Sequence, residues 1–229
     1  MKNLNSIMAV IAVAGAINAS AFVSNGSFEE ITGLGVAKEG TAGNPITSGQ
    51  WGVYDEIPGW KTLDGEGIEL HYAEVLAGVL ASDGKKYVEL DSHPGAGDSS
   101  NSTMYQALAL GTGTYSLSFD YKPRTDAVQG DDNGIAAYWI NGLVDPFDIG
   151  AVLSSTPITK IATTAPQDWQ TITASFAATG PGYLVFSAYG TENQLGGFVD
   201  NVSVPDSGST LALLGLGVLG TAALRRRLA

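Results

Sequence analysis

The sequence predicts an all-β fold, a sandwich of two antiparallel sheets, and three observations support this prediction. Apolar and polar residues alternate with period two in Tyr115–Tyr121 and Gln170–Phe176, which is typical of strands with one buried face. Gly (30) and Pro (9) are more frequent than in an average globular domain. Between residues 22 and 203 we find no helical repeat beyond a short turn at Tyr72–Leu80. About nine strands without intervening helices favour a sandwich.

The individual strands follow from their local patterns. Ala136–Ile140 and Tyr183–Tyr189 are almost continuously apolar, which indicates strands covered on both faces. Turns rich in Gly, Pro and Asp, such as Ser82-Asp83-Gly84 and Gly180-Pro181-Gly182, separate the strands. Further strands are predicted at Phe22–Ser24, Ile68–His71, Tyr87–Leu90, Thr103–Ala109 and Phe198–Val204.

Charge and composition exclude several classes of function. The 229 residues include 11 Lys and Arg against 23 Asp and Glu, a formal net charge of −12. Nucleic-acid binding needs a concentrated basic surface, so it is excluded. The chain contains no cysteine, which excludes disulfides, thiolate metal sites and cysteine nucleophiles.

The N-terminus has the pattern of a secretory signal peptide over residues 1–21. Lys2 provides a positive charge, Ile7–Ile17 is apolar, and Ala19-Ser20-Ala21 is a small-residue cleavage site. We therefore predict a signal helix that export removes. The alternative is a buried N-terminal helix of the mature domain.

A second hydrophobic helix is predicted near the C-terminus. Thr210–Leu224 is apolar and is followed by Arg225, Arg226 and Arg227. At about 1.5 Å per residue it spans roughly 22 Å, less than a hydrocarbon core of about 30 Å. The positive-inside rule would hold the arginines on the cytoplasmic side, so the domain before them lies outside the inner membrane.

The segment just before this helix, Val204-Pro205-Asp206-Ser207-Gly208, makes residues 204–229 resemble the VPDSG variant of the PEP-CTERM sorting signal. The resemblance implies a Gram-negative-type bacterium. An exosortase-like membrane protease would cut near the motif after export, so that contact with the inner membrane is transient. The alternative is a plain C-terminal membrane anchor.

Residues 22–203 carry a succession of short motifs that resembles the galactose-binding-like jelly rolls. It is most similar to an extracellular family first catalogued as a domain of unknown function in plant cell walls, and to jelly-roll carbohydrate-binding modules. The chain lacks the cysteines of the plant members and has one such domain where they commonly have two. The motifs are Asn25-Gly26-Ser27-Phe28-Glu29, Ile57-Pro58-Gly59-Trp60, Ile68-Glu69-Leu70, the run 83–90, Met104-Tyr105-Gln106, the run 113–121 and the run 198–204.

This resemblance implies a structural calcium site where the first and last strands lie side by side. Carried over to this sequence, the carboxylates are Glu29 and Asp200, and the backbone carbonyls of Asp83 and Lys86 contribute from the loop between them. Ca²⁺ prefers six to eight oxygen ligands, several of them charged. The alternative is that Glu29 faces solvent and Asp200 caps a turn.

A carbohydrate site would need aromatic platforms and fixed hydrogen-bonding groups. Asp120 and Lys122 occupy outward positions of a strand, and Arg124 lies just beyond it. Trp139 and Tyr189 are the candidate platforms, and we expect the five side chains to share one sheet face. The alternative is that the aromatics belong to the core.

The sequence predicts no catalytic function. His71 and His93 are the two histidines, on separate segments, and we interpret both as structural or solvated. Neither H-E-x-x-H nor G-x-S-x-G occurs. The prediction is an exported protein that binds polysaccharide or associates with matrix at the cell surface or in exopolysaccharide. The alternatives are a structural envelope or matrix protein without sugar affinity and, third, a polysaccharide-active enzyme.

Overall fold

The computed structural model describes residues 23–43, 45–75, 79–93, 100–124, 134–142, 148–162 and 168–205. These residues form thirteen strands and one short helix, which confirms the all-β prediction. The elements are β1 (Glu39–Gly40), β2 (Trp51–Tyr54), β3 (Glu56–Ile57), β4 (Trp60–Asp64), β5 (Ile68–Tyr72), β6 (Lys86–Glu89), β7 (Thr103–Leu108), β8 (Thr112–Lys122), β9 (Gly134–Asn141), α1 (Ile149–Ser154), β10 (Thr159–Ile161), β11 (Gln170–Thr179), β12 (Gly182–Tyr189) and β13 (Phe198–Ser203).

The strands form two antiparallel sheets, as predicted. One has seven strands in the order β1-β2-β5-β6-β13-β8-β11, and the other has six in the order β10-β9-β12-β7-β4-β3. All of the strand pairs described are antiparallel. The last strand, β13, therefore lies inside the seven-stranded sheet, between β6 and β8.

The main core lies between the two sheets, and the predicted alternation of β8 builds part of it. Leu117, Phe119 and Tyr121 are fully buried there, whereas Ser116 on the opposite face is exposed. Trp60 is also fully buried, and its ring centroid lies 5.9 Å from those of both Phe28 and Phe186. The apolar alternation in the sequence thus sets which face of each strand is buried.

A smaller apolar cluster covers the outer face of the six-stranded sheet. Tyr138 and Val185 belong to it, while their neighbours along the strands, Ala137 and Leu184, belong to the main core. Helix α1 contributes Val152 to this cluster. A strand buried on both faces explains why the β9 and β12 segments are almost continuously apolar.

One predicted strand is wrong where the structure describes it. Val23 and Ser24, of the predicted strand Phe22–Ser24, form a bend. Asn25 and Phe28 have φ of 50° and 57°, so the chain turns here and cannot stay extended. One hydrogen bond, from Val202 N to Gly26 O at 2.9 Å, still joins this segment to the last strand.

The two predicted terminal helices lie outside the described residues. Within the described ranges, no helix is long and apolar enough to span a membrane.

Candidate functional site

Three buried side chains, Glu69, His71 and Glu89, lie together with the half-buried Arg124 on the outer face of the seven-stranded sheet. We call them the acid–histidine cluster. The antiparallel register places Glu69 of β5 opposite Glu89 of β6, and alternation puts His71 on the same face as Glu69. Glu69, His71 and Glu89 are 3%, 2% and 0% exposed. Charged side chains this deeply buried need partners.

The partners come from within the cluster and from neighbouring backbone. His71 Nε2 lies 3.0 Å from Glu69 Oε1 and 3.3 Å from Glu89 Oε2. Arg124 donates to both oxygens of Glu89, at 3.1 and 3.0 Å. The remaining acceptors are satisfied by backbone, since the His93 N–H donates to Glu69 Oε2 and the Gly196 N–H to Glu89 Oε1, both at 2.6 Å.

Two aromatic rings hold the imidazole of His71 in place. Tyr87 is stacked on it at 5.1 Å with an interplanar angle of 3°, and Trp51 is stacked at 6.4 Å and 20°. The rings fix the plane of the imidazole, and the carboxylates lie at its edge.

The environment shifts two pKa values in the cluster. Burial lowers the pKa of His71, but Glu69 and Glu89 outweigh that effect and raise it to about 9. Burial raises the pKa of Glu89 to about 7, against the opposing effects of His71 and Arg124. Between these two values, an imidazolium and a guanidinium therefore flank the ionised carboxylate of Glu89.

Sequence reasoning missed this cluster. From the sequence, His71 is interpreted as a structural or solvated histidine, and Glu69 and Glu89 occur only within the quoted motifs. The available signal is the period-two placement of Glu69 and His71 in one strand and of Glu89 in another. Recognising that β5 and β6 are neighbours would have placed all three side chains together.

The calcium candidates meet at the loop before β6. Glu29 Oε1 accepts hydrogen bonds from the N–H groups of Lys85 and Lys86, both at 2.6 Å. Asp200 Oδ2 accepts from the N–H groups of Ser82 and Asp83, at 2.8 and 2.9 Å. The first described segment and the last strand thus hold the same loop.

The carboxylates that contact this loop face nitrogen donors. The Lys86 ammonium lies 3.0 Å from Glu29 Oε2, and Asn201 N donates to Asp200 Oδ1 at 2.7 Å. Burial raises the pKa of Asp200 to about 7. A calcium ion at Glu29 would have to replace the Lys86 ammonium, and calcium binding stays a prediction.

We expect millimolar CaCl₂ to raise the Tm of the chelator-treated full-length chain, because an ion that binds only the folded state stabilises it by mass action. Calorimetric titration should give one binding event, which Glu29→Gln removes. MgCl₂ is the control. Absence of both heat and a Tm shift would contradict the prediction.

Asp120 is engaged in structural hydrogen bonds. Its Oδ2 accepts from the Ser82 hydroxyl at 2.6 Å and from Asn201 Nδ2 at 3.0 Å, and its Oδ1 accepts from the Thr171 hydroxyl at 2.6 Å. Arg124 is bound to Glu89, and Lys122 is half-buried. The side chains of Asp120 and Arg124 thus stabilise contacts on the outer face of the seven-stranded sheet.

Trp139 and Tyr189 lie in the other sheet, so the expectation of one shared face is wrong. Trp139 packs against the main core, with its ring 5.2 Å from Phe176. Tyr189 packs against the smaller apolar cluster on the outer face of the six-stranded sheet, and Lys160 Nζ is 3.7 Å from its ring centroid. Alternation in the sequence predicts which side chains share a face within one strand, but not which strands share a sheet. β9 and β12 belong to the six-stranded sheet, whereas β8 belongs to the seven-stranded sheet.

We expect Asp120→Asn to lower the free energy of unfolding by about 2 kcal/mol at pH 7, because the new amide nitrogen cannot accept from Ser82 and Asn201. Burial opposes ionisation, but the three donors hold the pKa of Asp120 below its usual value. The stabilisation is therefore present above pH ~4 and lost as the pH falls further.

Urea unfolding between pH 2.5 and 8 measures this difference. Asp55→Asn is the matched control, since the Asp55 side chain is 77% exposed. A loss of stability for Asp120→Asn that is independent of pH would contradict the assignment.

A cleft of about 680 Å³ lies at the β3–β4 end of the six-stranded sheet. We call it the tyrosine cleft. Tyr105 and Tyr183 are both half-buried, with ring centroids 5.4 Å apart and an interplanar angle of 78°. The register places Lys61 opposite Tyr105, and Lys61 Nζ lies 3.7 Å from Glu56 Oε2. The cleft thus combines aromatic surface with an exposed pair of opposite charges.

Comparison with known proteins identifies the C-terminal motif. The family model of the VPDSG-CTERM motif matches residues 203–228, as the sequence predicted for that segment. Of these residues, 206–228 lie outside the described part of the chain. No curated protein matches this chain.

Solved structures resemble the domain weakly. The K1 adhesin domain of Lys-gingipain from Porphyromonas gingivalis is 17% identical, with a TM-score of 0.48, over 65% of this chain and 91% of that one. A putative sugar-binding protein from Bacteroides thetaiotaomicron is 12% identical, with a TM-score of 0.43, over 82% and 100%. A family 6 carbohydrate-binding module from Clostridium cellulolyticum, in complex with xylose, is 11% identical, with a TM-score of 0.38, over 62% and 90%. Likeness at this level says nothing about the ligand of the present chain.

Proposed function

We propose that this chain is an exported, non-catalytic protein that binds polysaccharide in the tyrosine cleft. The observation that carries the proposal is the pair of half-buried rings, Tyr105 and Tyr183, beside the exposed Lys61–Glu56 pair. The C–H faces of sugars pack on aromatic rings, while their hydroxyls bind charged and amide groups.

The dimensions of the cleft suit a small stretch of glycan. Its volume of about 680 Å³ falls within the range of about 300–1,000 Å³ that is common for ligand sites. Ala107 lies opposite Tyr183 in the register and is exposed. Its small side chain leaves room between the two tyrosines and the edge of the sheet.

Burial of the acid–histidine cluster supports the non-catalytic part of the proposal. A glycosidase needs two carboxyl groups that flank the scissile bond. Glu69 and Glu89 face each other across neighbouring strands, but they are 3% and 0% exposed. A polysaccharide cannot reach them without displacing the surrounding loops.

The VPDSG-CTERM motif at residues 203–228 supports export to the cell envelope. We further propose that an exosortase-like protease of a Gram-negative-type bacterium processes the tail at the inner membrane. The domain then resides at the cell surface or in exopolysaccharide, where it binds glycan.

We expect the full-length chain to be retarded in native gels that contain one polysaccharide from a panel of galactan, xylan, β-glucan and dextran. Tyr183→Ala and Tyr105→Ala should each raise the apparent Kd by roughly tenfold or more, because aromatic contacts contribute much of the binding energy of such sites.

The matched control is Trp51→Ala, which removes a half-buried aromatic ring from the outer face of the other sheet. It should leave the retardation unchanged. If retardation is lost in Trp51→Ala but not in Tyr183→Ala, the site lies elsewhere. If no polysaccharide in the panel retards the chain, the structural matrix protein is favoured.

A further inference from the structure

The imidazole of His71 has an unusual position within the acid–histidine cluster. Two carboxylate oxygens lie 3.0 and 3.3 Å from its Nε2, yet neither contact has the geometry of a hydrogen bond. Neither ring nitrogen has a hydrogen-bond partner among the residues that the structure describes, and the side chain is 2% exposed. A buried ring nitrogen that makes ion-pair contacts but no hydrogen bond calls for an explanation.

We propose that Glu69 Oε1, His71 Nε2 and Glu89 Oε2 bind one divalent metal ion, with Zn²⁺ the best fit. The ligand atoms of the three side chains lie within 4.8 Å of one another. In a tetrahedral zinc shell with bonds of about 2.0–2.1 Å, ligand atoms are roughly 3.3 Å apart. The 3.0 and 3.3 Å separations from Nε2 match two edges of such a shell.

The surroundings hold the three ligands in position. The outer oxygen of each carboxylate is fixed by a backbone N–H, from His93 for Glu69 and from Gly196 for Glu89. The inner oxygens are thereby turned toward Nε2. Stacking on Tyr87 at 5.1 Å fixes the plane of the imidazole. Such outer contacts orient metal ligands in proteins.

The ligand types favour zinc over the harder cations. One imidazole nitrogen with two carboxylate oxygens suits Zn²⁺, whereas Ca²⁺ prefers a larger shell of oxygens alone. With imidazole neutral, the metal and Arg124 carry three positive charges against two carboxylates. The excess positive charge favours an anionic fourth ligand, such as hydroxide.

The experiment is a zinc titration of the full-length chain, purified in mild detergent and freed of metal by chelator. We expect one Zn²⁺ per chain by metal analysis after dialysis. Glu69→Gln and His71→Gln should each weaken binding at least 100-fold. Glu39→Gln is the matched control, because Glu39 is an exposed carboxylate in β1 of the same sheet, and it should bind like the wild type.

A spectroscopic readout keeps the test decisive if a cluster variant does not fold. In ¹⁵N-labelled wild-type chain, zinc should shift the Nε2 resonance of His71 much more than the ring nitrogen resonances of His93. Folded chain that takes up no zinc, or binding that survives in His71→Gln, would overturn the proposal. The polysaccharide assay reports on the other sheet, so the two proposals can fail separately.

Discussion

Replacing Glu89 by Gln will lower the free energy of unfolding by about 3–5 kcal/mol at pH 8 in metal-free buffer. The substitution keeps the volume of the side chain and removes its charge. Arg124 and the His71 imidazolium then lose the carboxylate that both contact, at 3.0 and 3.3 Å. Because Glu89 is fully buried, water cannot take the place of its carboxylate.

Urea unfolding followed by tryptophan fluorescence measures this loss of unfolding free energy, and Glu56→Gln is the control. The Glu56 side chain is 68% exposed and pairs with Lys61, so its loss should cost less than about 1 kcal/mol. Equal effects of the two variants would show that the acid–histidine cluster is not a compensated buried network.

The second large effect is expected from Trp60→Ala, which should lower the free energy of unfolding by about 3–5 kcal/mol. Trp60 is 0% exposed and lies between Phe28 and Phe186 in the main core. Its Nε1–H also donates to Asn25 O at 3.1 Å, which holds the turn that opens the domain.

Val36→Ala serves as the control for this variant. Val36 is 82% exposed, so its truncation should change the stability by less than about 0.5 kcal/mol. Far-UV circular dichroism should show that both variants keep their strands. A small effect of Trp60→Ala would mean that the core can close around the lost ring.

The fold could be predicted from the sequence because apolar alternation reports directly on burial. Leu117, Phe119 and Tyr121 face the core as their spacing indicates. The sequence does not predict the short strands β2 and β4, since they have four and five residues and no clear alternation. Their partners in the sheets, rather than their own residues, make them strands.

The candidate sites were harder to predict, since a site depends on which strands are neighbours. Alternation placed Asp120 and Trp139 each on a face of its own strand but could not say that β8 and β9 belong to different sheets. Likewise, nothing local in the sequence shows that Glu69 lies opposite Glu89. Long-range pairing decides both cases, and sequence spacing alone does not encode it.

The central position of β13 has a mechanical consequence. This strand is hydrogen-bonded to β6 on one side and to β8 on the other, and the C-terminal tail continues directly from it. If the cell holds the protein by its tail, tension enters the middle of the sheet rather than an edge. Pulling β13 out must rupture ladders on both flanks together, so the domain should yield to force in one abrupt event instead of fraying strand by strand.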